Sequence, residues 1–293
     1  MTVGNVPDVA DEVFEGSFFA DASSGHVAPV ALLDAVVRAA TAAPADAGGC
    51  RPRSVEVAFP GPFHRGVPTH LVLDPFRPSP DVRAARFEVA QRGLPACVGT
   101  IRFADGDDLF APWVATPGRR APQVLVGKDA PWRVLIGPPR RTPEGAPAAD
   151  VVGPSAPGDT GARPVSLLLD AACQLLTAVA RAGGEAPGDA ELLVSAAKVT
   201  TAAGEPWDVY PELVCRGWRT VRAHMAASVE LRVGGEVRGE LAVRGRFRSS
   251  SVVRAAFADT RLTMVRERED HCPIGHGTPG FPRFALPGFR RHP

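Results

Sequence analysis

The sequence predicts an α+β protein made of two copies of one small unit, and three observations carry that expectation. A proline-opened apolar helix followed by several strand candidates begins at Pro29, and the same order begins again at Pro164. The strand candidates alternate apolar and polar residues, as Val55, Val57 and Phe59 do, which is the period of a half-buried strand. Short turn signals, RGLP at 92–95 and the Gly234-Gly235 pair, separate neighbouring runs closely enough for antiparallel hairpins.

The elements follow in order. PVALLDAVVRAATAAP (29–44) places Leu32, Leu33, Val36, Val37 and Ala40 at helical spacing between two prolines, so a buried helix is expected. The runs RSVEVAF (53–59), THLVLDPF (69–76), VRAARFEVAQ (82–91) and ACVGTIRF (96–103) read as strands. The second helix, PVSLLLDAACQLLTAVARAGG (164–184), starts at a proline and stops at Gly183-Gly184. ELLVSAAKVTT (191–201), DVYPELVCRGW (208–218), VRAHMAASVELRV (221–233) and VRGELAVRGRF (237–247) are its strands. The two copies lie too far apart for a solenoid repeat and suit two fused units. The boundaries are 1–105 for the first unit, 106–160 for a Pro/Gly-rich connection, 161–250 for the second unit and 251–293 for a proline-rich tail. Within the connection, QVLVG (123–127) and WRVLIG (132–137) read as short strands, and 137–161 reads as a flexible surface loop.

Composition narrows the function classes. Apolar residues make up 45% and charged residues 22% of 293, the balance of a soluble globular chain. A net charge of +1 argues against a nucleic-acid protein held by a broad basic face. No apolar run approaches the ~20 residues that cross a bilayer. The acidic opening MTVGNVPDVADEVFEG has neither the basic start nor the apolar stretch of a secretory signal, so a cytoplasmic location is expected. The five cysteines (Cys50, Cys97, Cys173, Cys215 and Cys272) are odd in number and form no CxxC pair, so neither a zinc knuckle nor a disulfide framework is expected. Of 33 basic residues only Lys128 and Lys198 are lysines, a bias that the 30 prolines and 30 glycines share.

The segment Leu167-Leu168-Leu169-Asp170-Ala171-Ala172-Cys173-Gln174-Leu175-Leu176 carries the chemistry. An i,i+4 pair lies on one helix face, so Asp170 and Gln174 point the same way. The helix start offers free backbone N–H groups and a positive dipole end for a polarised carbonyl. An Asp in an apolar surround would have a raised pKa and stay protonated, able to hand a proton to a leaving hydroxyl. Asp34, in the matching place of the first helix, is read as structural. His64 and His70 are read as surface residues, and His224 as a strand residue on either face.

This helix resembles that of the thioester dehydratases, the FabA/FabZ type and the dehydratase domain of polyketide synthases, which carry an acid and, four residues later, a glutamine. The following segment through VRGELAVRGRF is similar to the C-terminal half of a polyketide dehydratase, whereas GHVAPVALLDAVV with RPRSVEVAFPGPFHRG looks like half of an acyl-CoA thioesterase. The resemblance implies a tandem (double) hotdog, two long central helices each wrapped by a twisted antiparallel sheet. It implies dehydration of a 3-hydroxyacyl thioester, with cyclisation as a related outcome, in polyketide or fatty-acid assembly. It also implies His26 as base, Asp170 as acid and Gln174 as its orienter. The family places its base histidine further ahead of the helix than His26 stands, so either the loop is shortened here or the base is missing. The alternatives are a hotdog acyl thioesterase and an inactive scaffold binding an acyl chain or carrier protein. No metal or redox cofactor is implied. The acyl group would ride on the phosphopantetheine of an acyl carrier protein or on coenzyme A, and the chain would be a monomeric pseudo-dimer or a homodimer. Arg216, Arg219 and Arg222 with the tail arginines Arg283, Arg290 and Arg291 are the cations such a carrier would meet. His271-Cys272-Pro273 in the tail imitates a dehydratase loop but precedes no helix.

Overall fold

A computed structural model describes residues 29–42, 50–64, 67–79, 82–105, 118–152, 164–186, 188–202, 210–221 and 224–249. Helix α1 (Pro29–Ala42) is followed by strands β1 (Cys50–Ala58), β2 (Thr69–Ser79), β3 (Val82–Gln91) and β4 (Leu94–Asp105). A four-residue helix α2 (Gln123–Val126) and a 3-10 turn (Pro131–Arg133) lead into β5 (Arg140–Arg141) and β6 (Pro147–Asp150). Helix α3 (Pro164–Ala182) then precedes β7 (Ala190–Thr201), β8 (Glu212–Val221), β9 (His224–Val233) and β10 (Glu236–Ser249).

The ten strands among the described residues form one antiparallel sheet in the order β2-β3-β4-β1-β7-β10-β9-β8-β6-β5. From the β1–β7 seam outwards, β1, β4, β3 and β2 on one side answer β7, β10, β9 and β8 on the other, so the duplicated pattern of the sequence is duplicated in space. The seam pairs Val55 with Val199, Val57 with Ala197 and Glu56 with Lys198, which joins what were expected to be two separate sheets into a continuous one. Gly99 in β4 is fixed by close packing: a Cβ there would stand 2.2 Å from the Glu56 carbonyl oxygen and 2.6 Å from the Phe87 ring.

Helix α3 is the centre of the core. Leu167, Leu168, Leu169, Leu175 and Leu176 are fully buried, and such a leucine contributes about 1.5–3 kcal/mol by leaving water. Burial on every side, not amphipathic patterning, therefore holds this helix. It ends where Gly184 takes φ of 70°, and the Glu185 N–H bonds back to the Ala180 carbonyl, closing the last turn. The stretch Val165–Ala182 is long and apolar enough to cross a membrane by length and composition, which corrects the expectation that no run comes close, but 83% of it is buried inside the protein. Helix α1 packs against α3 and buries Leu32, Leu33, Val36 and Val37.

The connection differs from the sequence expectation. QVLV forms α2, not a strand, because Gly127 in the left-handed region (φ 72°) closes a single helical turn. In WRVLIG, the expected strand, the first residues belong to the 3-10 turn and only Ile136 makes a bridge, to Val151. Of the segment expected as a flexible loop (137–161), residues 137–152 are described and contain a β5–β6 hairpin, with β6 extending the sheet against β8, while 153–161 lie outside the described residues. Ala148, Ala149, Val151 and Val152 are buried there, so apolar burial overrides the proline and glycine content.

Candidate active site on the central helix

Ser166, Asp170 and Gln174 stand four residues apart on α3, so they form one polar stripe in an otherwise apolar helix, and all three are buried. The stripe meets the connection. Lys128, two residues after α2, places its Nζ 2.7 Å from Asp170 Oδ1. Gln174 donates from Nε2 to Asp170 Oδ2 at 3.0 Å and to the Arg133 carbonyl at 2.9 Å. Its Oε1 accepts the Leu135 N–H at 2.9 Å. Every hydrogen-bonding atom of the Gln174 amide is thus engaged, and both carboxylate oxygens of Asp170 have partners.

The surround of Asp170 is therefore not the apolar one expected. An ammonium and an amide face the carboxylate instead, each within hydrogen-bond distance. Lys128 escaped the sequence reading because it lies 42 residues from Asp170 in a segment expected to be strand and loop. The signal was its rarity, since an arginine-biased chain keeps lysine at two positions.

The connection is tied to α3 at a third point. The Arg181 guanidinium donates to the Val124 carbonyl and to the Ala190 carbonyl, the latter at 2.7 Å, and burial lowers its pKa. A Cβ on Gly127 would lie 3.4 Å from this guanidinium, so the turn sits close against the helix. Val124 and Trp132 are exposed on the same connection, on either side of Lys128 in the chain.

One turn along α3, Cys173 is pushed up to about 12 by burial and then by the Asp170 charge, so its thiol stays protonated at neutral pH. Asp34 on α1 is buried and ion-paired with Arg38 at 3.1 Å. His64 is buried, not at the surface as expected: its backbone N–H and carbonyl are both held by the Gln91 side chain, at 2.9 and 2.8 Å. His70 and His224 are exposed. His224 lines a shallow recess of about 270 Å³ with Ser195, Arg219 and Arg244, which contains none of Lys128, Asp170 or Gln174. Arg216 is paired with Glu230 at 3.0 Å. The expected base His26, with Arg222, His271, Cys272, Arg283, Arg290 and Arg291, lies outside the described residues. Among the described residues no group of three or more His, Cys, Asp or Glu is arranged to hold a metal ion.

No known family model matches the chain, and no curated protein matches it significantly. Solved structures do. The tesB protein of Mycobacterium avium subs paratuberculosis superposes with a TM-score of 0.50 at 13% identity, over 78% of this chain and 90% of that one. A putative thioesterase II from Thermobifida fusca gives 0.50 at 15% identity, over 79% and 89%. The dehydratase domain from the CurJ module of curacin polyketide synthase gives 0.51 at 13% identity, over 79% and 88%. At such identities the likeness is one of architecture: this chain has the hotdog fold.

Proposed function

We propose that the chain is an enzyme acting on an acyl group held as a thioester, and that its reaction is loss of water from a 3-hydroxyacyl thioester. Its two halves are read as tandem hotdog units, with α1 and α3 as their central helices. The observation that carries the reading is the Lys128–Asp170–Gln174 cluster. Asp170 is buried and its ion pair with Lys128 is part-buried, a place where well-packed apolar residues are often neutral or better. A core helix that keeps such a pair at its middle has a use for it. Dehydration needs a base for the α-proton and an acid for the departing hydroxyl. His26 is the proposed base, the acid side is Asp170 with its partner Lys128, and Gln174 orients Asp170. The acyl group would arrive on the phosphopantetheine of a carrier protein or on coenzyme A, in polyketide or fatty-acid assembly, with no metal or redox cofactor.

A second reading, thioester hydrolysis, is favoured by one specific feature. An Asp170 that accepts hydrogen bonds from an ammonium is suited to hold and polarise a water. The intact mass of a 3-hydroxyacyl carrier protein incubated with wild type and with Asp170→Asn separates the two. Loss of one water with wild type, abolished in the variant, is the expected result. Release of the free acid moves the protein to hydrolysis, and an unchanged mass overturns both readings.

A further inference from the structure

We infer that Lys128, not Asp170, is the group that delivers the proton to the departing oxygen, and that Asp170 and Gln174 are positioning residues. The inference rests on the thioester reading above and assigns the acid within it. Each carboxylate oxygen of Asp170 already accepts a hydrogen bond, Oδ1 from Lys128 and Oδ2 from Gln174. Lys128 is different. An ammonium carries three N–H donors, and one of them is used, on Asp170. Its side chain is also the more open of the two, 22% exposed against 8%. Gln174 holds Asp170, Asp170 holds Lys128, and Arg181 holds the turn that carries Lys128. The order of these contacts runs outward from the core to the ammonium.

A second observation lies on the same stripe. The Ser166 hydroxyl, one turn towards the start of α3 from Asp170, is fully buried and has no hydrogen-bond partner among the described residues. A buried hydroxyl without a partner costs roughly 1–3 kcal/mol, so a polar atom of a bound molecule beside it gains a contact that the free protein lacks. A 3-hydroxyacyl thioester carries such atoms, and an unsubstituted acyl thioester lacks the hydroxyl.

The step balances. The Lys128 Nζ–H bond breaks and its proton passes to the β-oxygen while the Cβ–O bond breaks, its electron pair leaving with the oxygen as water. The base takes the α-proton, and the Cα–H pair becomes the new Cα=Cβ bond. The proton on the base returns to the lysine amine through solvent, leaving the enzyme unchanged.

The test is titration calorimetry of wild type, Lys128→Met and Lys128→Arg with two stable pantetheine amides, one 3-hydroxyacyl and one the matching acyl without the hydroxyl. Lys128→Met leaves Asp170 without its ion-pair partner, so the double variant Lys128→Met with Asp170→Asn, which removes both charges, guards against loss of fold. Wild type is expected to prefer the hydroxylated amide by about tenfold, the worth of a hydrogen bond to a charged donor. The preference disappears in Lys128→Met and in the double variant, survives in part in Lys128→Arg, and the affinity for the unsubstituted amide stays the same throughout. Equal loss for both amides overturns the inference in favour of a purely structural lysine, as does a preference that persists without Lys128 or is absent from wild type. If wild type binds neither amide, the thioester reading itself falls and the inference with it.

Discussion

Gln174 joins three parts of the molecule through one amide: Asp170 on its own helix, the Arg133 carbonyl and the Leu135 N–H. Gln174→Leu keeps the volume and removes all three bonds, leaving the buried Leu135 N–H without its partner. The expected loss is about 2–5 kcal/mol, read as a lower denaturant midpoint at unchanged slope. The pairing of Asp170 with Gln174 was legible in the sequence because i,i+4 spacing on a helix is geometry. Lys128 was not, because only the folded chain brings a turn of the connection onto α3. Cysteines give a second check at this scale. Burial pushes Cys173 to about 12 and Cys215 to about 11, and raises Cys97 further still. All three should therefore resist alkylation in the native protein at neutral pH and react after denaturation, as peptide mapping would read. Rapid native labelling of Cys173 would contradict the burial of the stripe.

At the scale of elements, α1, α3 and the eight long strands were readable from period and punctuation, since each buries one repeating face. The connection was not. Its prolines and glycines suggested loop, yet Ala148, Ala149, Val151 and Val152 find a place in the core and draw β6 onto β8. Apolar residues this short of a full period leave no pattern for a sequence reading to detect. The helix α2 was mistaken for a strand for a related reason: Val and Leu in a four-residue run fit either element, and Gly127 decides it. Packing between strands makes its own prediction. Gly99→Ala sets a Cβ against the Glu56 carbonyl and the Phe87 ring, so β1, β3 and β4 must part. Overpacking of this kind costs on the order of 1–3 kcal/mol, and thermal unfolding should show it as a clear fall in Tm.

The whole molecule is held by a seam of five residue pairs between β1 and β7 and by α1 against α3, so its two halves should unfold in a single transition. Acid should weaken it in part through Glu230. Burial alone would raise that carboxyl, but hydrogen bonds and charge from Arg216 and Arg232 prevail and hold it below its ordinary 4.5. A carboxyl depressed on folding stabilises above its unfolded value and ceases to do so as pH falls through the folded one. Glu230→Gln should therefore flatten the acid limb of the stability curve below about pH 4.5 and leave the neutral region's pH dependence as it is. What the duplicated helix-and-strand order showed from sequence was the repetition; the single continuous sheet needed the seam. If α3 and the connection together receive an acyl thioester, hydrogen–deuterium exchange with and without a stable 3-hydroxyacyl pantetheine amide will register it. The expected result is slower exchange over residues 123–136 and along α3 around Asp170 and Gln174. Slowing confined to the recess at Arg219, His224 and Arg244, with 123–136 unchanged, would contradict it.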